Sequence, residues 1–453
     1  MARTSELVEH VEFILSECAR MSELIDRDGL KNFDRRDSMS EIPHPNSMGS
    51  MICGVKASQR LTLLSEESAK RGGIALQVSS GLIRKELVAR FVEWFLKERR
   101  PVEARHVERL MATVASSCRR EFQRRTHYFP CHLTYTKLPT SITVGPVTFH
   151  NRSSATGELL KQRLPVAKAK AMSLHERRLS AQALKYYRNF RWLAEVNVSD
   201  CDKQTSDLLA EEAATRALDG IHVLIGAPWT SRMQIGGMGV RHEKSAKLTI
   251  TESGGLEPSV SLAYLGEVRF DDSWAAGLED DVGADFLTIF GTALESVVNP
   301  NLIRPLSRRY LDAAQWFGEA ARDKHPATKI VKYMTALERM LLPIKVEKIA
   351  DVISNRIAAL CVCPDRTIDG TSFNEWRGRA KKAYDLRSKL VHGSISPSDI
   401  EVENGVFNVA ELTQLVLLRL LFLMGLDALK AEKVNEKEIH AWFDQYVELQ
   451  ATA

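Results

Sequence analysis

Arg387 and His392 are separated by four residues in the run Tyr384-Asp385-Leu386-Arg387-Ser388-Lys389-Leu390-Val391-His392-Gly393. The pair joins a permanent cation to a side chain that moves protons near neutral pH, the two groups needed to cleave a phosphodiester without a metal ion. Spacing by itself is cheap. Arg100 to His106, Arg120 to His127 and Arg125 to His132 fit a looser pattern of Arg, four to six residues, His. Context separates this copy from the others: Ala383, Leu386, Leu390 and Val391 are apolar at helical spacing, and Gly393 followed by Pro397 supplies stop signals. The pair is therefore expected in the last turns of a helix. Five residues advance an ideal helix by about 140°, which puts Arg387 and His392 on different faces. Bringing both to one phosphate calls for the reach of Arg, a frayed helix end or a second subunit.

Upstream, Tyr333 to Leu342 reads YMTALERMLL, and Asn355-Arg356 falls in a following amphipathic segment. A helix with Ala336-Leu337-Glu338, a helix with Arg356, a loop, and then Tyr384-x-x-Arg387-Ser388-x-x-x-His392-Gly393 form an ordered set. Over roughly residues 305 to 430 this set resembles the HEPN superfamily, particularly its Apea-like branch. The resemblance implies an antiparallel helical bundle that dimerises so that two such motifs face one cleft. It also implies a metal-independent endoribonuclease, with no cofactor, of the kind found in toxin and antiviral defence systems. Carried onto this chain, His392 transfers the proton and Arg387 holds the scissile phosphate, with Ser388 orienting one or the other. Tyr384 belongs to the same motif, Glu338 braces Arg387 or Arg356, and Lys389 is a candidate RNA contact. Attack by the ribose 2′-hydroxyl would leave a 2′,3′-cyclic phosphate and a 5′-hydroxyl, so DNA should be spared. tRNA or another structured RNA, whose unpaired loops free that hydroxyl, is the implied substrate.

A chain of 453 residues is long enough for two or three domains with a substantial core. The expected fold class is mainly α with a smaller β-containing middle region. The formal net charge of +4 is only mildly basic, compatible with nucleic acid and far from diagnostic. Seven scattered cysteines, an odd number, argue against a disulfide framework and fit a reducing cytoplasm. The opening residues carry acids within an apolar pattern, as an amphipathic helix does and a secretory signal does not. The most apolar run, Leu415 to Leu426, is interrupted by Arg419 and too short to span a bilayer, so nothing requires a membrane.

The organisation expected is a helical region at 1–125, a mixed region at 126–300 serving regulation or recognition of RNA or a trigger, and the helical bundle at 301–453. Helical patterns cover residues 5 to 27, 57 to 71, 74 to 99 and 101 to 125, with Pro101 suited to a first helical position. Arg35 to Met51 reads as a loop. Short strands are expected at Ser141 to Val144 and Val147 to His150, then a long helical stretch at about 156 to 197. A second β-rich section spans roughly Ile221 to Phe270, with alternation at Lys247 to Thr251 and Ser259 to Leu265 across a Glu-Ser-Gly-Gly turn. Arg304-Pro305 opens the bundle.

Competing chemistries are poorer. His127, Cys131 and His132 lack a partner pair for zinc, Cys361-Val362-Cys363 has the wrong spacing, and His175-Glu176 lacks a second His. Gly236-Gly237-Met238-Gly239 lacks the Gly-Lys-Ser/Thr ending of a phosphate loop. Lys185 to Trp192 interleaves bases with aromatics as a base-stacking surface does, although helical spacing lets Tyr186, Phe190 and Leu193 pack as a core stripe. Arg119, Arg120, Arg124 and Arg125 form an exposed basic patch that could contact RNA or simply solvate a helix end. Two other classes stay open: a noncatalytic HEPN module that dimerises and binds RNA in a larger defence complex, and a HEPN protein controlled by a separate nucleotidyltransferase.

Overall fold

A computed structural model describes residues 3–28, 40–46, 49–151, 174, 178, 182, 185–187, 190–236, 243–250, 256–263, 270, 274–362 and 371–452. The chain is mainly helical with a smaller antiparallel β region, as its composition and periodicity predict. It forms two compact units, one made of Met1–Arg125 and Val198–Leu209, the other of Thr126–Asn197 and Ala210–Ala453.

In the first unit, α1 (Thr4–Asp28), α2 (Val55–Arg71), α3 (Ser80–Phe91, continued by a π-helical turn at Val92–Lys97) and α4 (Ala104–Arg119) enclose one core. Leu7, Val11, Ile14 and Cys18 on α1 and Val107, Leu110, Met111, Val114 and Cys118 on α4 recur at three- and four-residue steps, so each helix buries one stripe. Part of the expected loop at Arg35 to Met51 is instead a hairpin of β1 (Ser40–Pro43) and β2 (Ser50–Cys53), because Ile42 and Cys53 reach the core; residues 35–39 lie outside those described. α3 starts at Ser80 rather than 74, since the Ser79 hydroxyl caps it at Leu82 N and is itself held by Asp202 Oδ2 at 2.7 Å. α4 starts three residues after Pro101 and ends at Arg119; the chain then becomes strand at Gln123.

A five-stranded sheet runs in the order β4-β5-β6-β3-β7, built from β3 (Gln123–His132), β4 (Ser141–Val144), β5 (Val147–Asn151), β6 (Trp192–Cys201) and β7 (Gln234–Ile235). β6 corrects the helix expected through 197: Trp192, Ala194, Val196 and Val198 are buried at a period of two. The rest of that stretch lies largely outside the described residues. α5 (Lys203–Ile225) takes the first residues of the expected second β section, because Ala210, Ala213, Ala214, Ala217, Leu218 and Ile221 make a helical stripe. Further on, β8 (Glu243–Ile250) and β9 (Leu256–Ala263) pair with Lys247 opposite Ser259, and the turn between them lies outside the described residues. α6 (Asp281–Val298) approaches the β4–β5 turn backbone to backbone. A Cβ on Gly145, whose φ is +54°, would meet Gly291 O at 2.2 Å, so glycine is needed on both sides.

A helix starts at Pro305, as expected, and the helices from there on form a bundle against which α6 also packs. The bundle comprises α7 (Pro305–Arg322), α8 (Pro326–Leu341), α9 (Ile349–Cys361), α10 (Phe373–Val391), α11 (Ile400–Lys430) and α12 (Glu436–Thr452). Proline at the first position of α7 and α8 supplies a preset φ where an N–H would lack a partner anyway. α7 packs on α8, α8 on both α10 and α11, and α9 on α10 and α12. Leu415 to Leu426 lies within α11, which breaks at Gly425 (φ +61°) and is by length and composition long and apolar enough to cross a membrane. One face of that helix, with Val409, Leu412, Val416, Leu417, Leu420 and Leu421, is buried in the bundle.

Candidate functional site

α10 carries most of the candidate residues, and both of its ends are fixed by local chemistry. At the start, the Ser372 hydroxyl accepts from Glu375 N while the Glu375 carboxylate accepts from Ser372 N at 2.7 Å, a reciprocal cap. Such caps contribute about 1 kcal/mol. Trp376, Ala380, Ala383 and Leu386 form the buried stripe. At the far end Gly393 adopts φ +70°, Gly393 N donates to Leu390 O and Ser394 N to Lys389 O. These two bonds are the Schellman pattern, which satisfies the last carbonyls and needs a left-handed residue just past the cap. His392 is therefore the cap residue, at φ −86° and ψ 0°, with an exposed side chain.

Arg387 lies next to the buried stripe and faces α8. Its Nη2 donates to Glu338 Oε2 at 3.0 Å, and its guanidinium sits 5.8 Å from the Tyr384 ring centroid. Both partners of the ion pair are about one-fifth exposed. Burial pushes the Glu338 carboxyl above its ordinary range, opposed by Arg387 and by the Tyr384 hydroxyl. The Tyr384 phenol is also raised, by burial and then by the Glu338 charge. Arg387 Nε is buried without a partner among the described residues, and no hydrogen bond from Nη1 is found there either. Part of the guanidinium's hydrogen-bonding capacity is thus unused among the described residues.

The brace expected from Glu338 goes to Arg387, not to Arg356. Arg356 is 1% exposed and is committed elsewhere: it donates to Leu341 O at 2.5 Å, to Asp444 Oδ1 at 2.7 Å and interacts with His440 Nδ1 at 2.9 Å, with Phe443 stacked 4.9 Å away. It locks α12 to α8 and α9, and touches none of the α10 candidates. Lys389 pairs with Asp385 at 2.9 Å and Glu401 at 3.5 Å. Ser388 is half-buried and its carbonyl accepts from His392 N. The His392 imidazole has no hydrogen bond or ion pair among the described residues, consistent with the different faces predicted for it and Arg387. Beside these residues, a cleft of about 520 Å³ runs between α10 and α11, with Arg379, Lys382, Asp385 and Glu401 on its walls.

The basic patch of the first unit is partly engaged with backbone and hydroxyl groups. Arg119 donates to Gly72 O at the end of α2, Arg120 to Ser117 Oγ, and Arg125 to Cys201 O. Arg124 is exposed. Phe190 and Leu193 are buried as the core reading expects, whereas Tyr186 is exposed and packs edge-on against Phe190; Arg188 and Asn189 lie outside the described residues. Burial drives the Cys131 thiol upward, away from the thiolate a metal would need. Among the described residues no group of three or more His, Cys, Asp or Glu side chains is placed to hold a metal ion. His175-Glu176, Gly237 to Gly239 and Cys363 lie outside them.

Sequence reading missed a second basic cluster, formed by Arg308 and Arg309 on α7, Arg339 on α8 and Lys437 on α12. The adjacent pair Arg308-Arg309 was a visible signal, but its convergence with Arg339 and Lys437 depends on how α7, α8 and α12 meet. Comparison with protein families, with curated proteins and with solved structures finds no match to this chain.

Proposed function

We propose that this protein is a HEPN-type endoribonuclease that cleaves RNA without a metal ion, working as a dimer in the cytoplasm in antiviral defence or as a toxin. Arg387 carries the reading: it is a cation oriented by Glu338 beside Tyr384, with one guanidinium edge unpartnered, on the helix that ends at the exposed His392. In the reaction, an imidazole removes the proton of a ribose 2′-hydroxyl, and that oxygen attacks the adjacent phosphorus. The bond to the 5′-oxygen breaks, the leaving oxygen takes a proton, and a 2′,3′-cyclic phosphate and a 5′-hydroxyl result. Arg387 stabilises the charge that grows on the non-bridging oxygens, a contribution of about 3 kcal/mol for a well-placed donor. A second copy would supply the imidazole for the other proton transfer, so one His392 serves as base and the other as acid. Tyr384, Glu338 and Ser388 act as positioning residues, and Lys389 contributes to RNA attraction.

The unpartnered imidazole favours one alternative. Inside a single chain nothing orients His392, so a protein that never pairs its two helix ends would be a noncatalytic module that dimerises and binds RNA. Incubating purified protein with tRNA and total RNA in EDTA, with Arg387→Ala and His392→Ala alongside, separates the readings. Cleavage that persists in EDTA, leaves cyclic phosphate ends and disappears in both variants supports the nuclease. Cleavage abolished by EDTA, or equal in the variants, removes it; RNA binding without cleavage supports the module. A monomer at micromolar concentration would contradict the shared site.

A further inference from the structure

We propose that the pocket between α7, α8 and α12 binds a small molecule carrying two or three linked phosphates, of nucleotide size. Its volume is about 790 Å³, within the range of pockets that enclose such ligands. Four cations line it, Arg308, Arg309, Arg339 and Lys437, against one lining carboxylate, Glu436. The first turns of two long helices, α7 at Pro305 and α12 at Glu436, also open on it; α7 has no side-chain cap, whereas in α12 the Asn435 side chain already accepts from Lys437 N at 3.0 Å. Helix starts present N–H groups and a partial positive charge, the combination that receives phosphate.

Arg309 points most directly to an anionic ligand. It is 7% exposed, yet its Nε has no partner among the described residues and its Nη1 comes only within 3.7 Å of Glu436, whose own side chain is 62% exposed. Its Nη2 donates to Leu342 O, a neutral acceptor at 2.8 Å. A buried cation so weakly compensated is costly, and burial followed by the nearby Arg339 charge lowers its proton affinity. Arg339 is shared with Asp312, which reaches it at 2.9 Å. Arg308 and Lys437 are exposed and have no ion-pair partner among the described residues. Ile344, Val434 and Ile439 add an apolar wall on which the unphosphorylated part of a ligand could rest. Residue 339 lines this pocket and residue 338 pairs with Arg387, so α8 joins the two sites.

Isothermal titration of the full chain with sodium tripolyphosphate, ATP and adenosine tests the assignment, with sodium sulfate matching ionic strength. Tripolyphosphate and ATP should each bind once per chain, and adenosine should not. Arg308→Glu/Lys437→Glu changes only exposed side chains, and should weaken binding by about tenfold or more, equivalent to about 1.4 kcal/mol. Arg387→Ala should leave it unchanged. Preference for ATP over tripolyphosphate would place a nucleotide base on the apolar wall; equal binding would place the recognition on the phosphates alone, and both support the site. Three results overturn it: no binding of either polyphosphate, equal binding by the double variant, or loss in Arg387→Ala with retention in the double variant, which would put the phosphate at the α10 site.

Discussion

Glu338 on α8 accepts a 3.0 Å hydrogen bond from Arg387 on α10, although the two residues are 49 positions apart in the chain. The contact fixes a cation at the seam of two helices and leaves its buried Nε without a partner among the described residues. Its energetic value is modest, because both groups retain some solvent exposure, so its role is orientation more than stability.

Glu338→Gln keeps the size and the acceptor oxygen but removes the charge. At neutral pH it should lower kcat/KM for RNA by about ten- to a hundredfold, since the cation proposed to hold the phosphate loses its brace. Burial raises the Glu338 carboxyl above its ordinary range, so the wild-type residue becomes neutral as pH falls through that raised range. The gap between wild type and Glu338→Gln should therefore narrow in acid. A pH-independent gap in the rate profiles would show that the side chain acts only structurally.

Arg356→Ala should destabilise the second unit by about 2–4 kcal/mol, through a lost buried hydrogen bond to Leu341 O, lost packing on Phe443 and the cavity left behind. Asp444 remains 56% exposed and can be hydrated, which limits the penalty. Urea unfolding measures the loss. Cleavage per folded molecule should stay near wild type, in contrast to Arg387→Ala.

Gly393→Ala should cost about 1–2 kcal/mol, the strain of a Cβ in the left-handed region. Nothing lies within 4 Å of the Cβ that would be added, so no clash contributes. Gly393→Asn should cost less, because Asn tolerates this conformation. Equal unfolding midpoints for the two variants would contradict the cap.

Asp219 is fully buried on α5, where Arg322 Nη1 donates to it at 2.7 Å. Burial outweighs that cation and pushes its carboxyl up to about 6. Below the unfolded value of about 3.9 the folded state keeps its full advantage from holding this proton, and the advantage, about 3 kcal/mol, is lost as pH rises through 6. Asp219→Asn cannot titrate, so thermal unfolding of the variant from pH 4 to pH 7 should lack this fall. Parallel pH curves for the two proteins would refute the assignment.

The sequence by itself determined the mainly helical class, the stripe helices, the helix start at Pro305 and the helix end at Gly393. Each depends on residues within a few positions of one another: proline presets φ, glycine permits a left-handed turn, and apolar side chains recur at helical spacing. It also placed Arg387 and His392 on different faces, because helix geometry follows from spacing alone. Where local patterns were ambiguous, tertiary packing decided: Trp192 to Val198 joined a sheet since paired strands lay on either side, and Ile42 and Cys53 made a hairpin because a core was there to receive them. The partner of Glu338 was undecidable from spacing, because Arg356 and Arg387 sit on neighbouring helices and only helix packing selects between them. The same holds for the Arg309 pocket, whose cations come from α7, α8 and α12. Ion pairs and pockets are set by distances through space, and those exist only once the helices have packed.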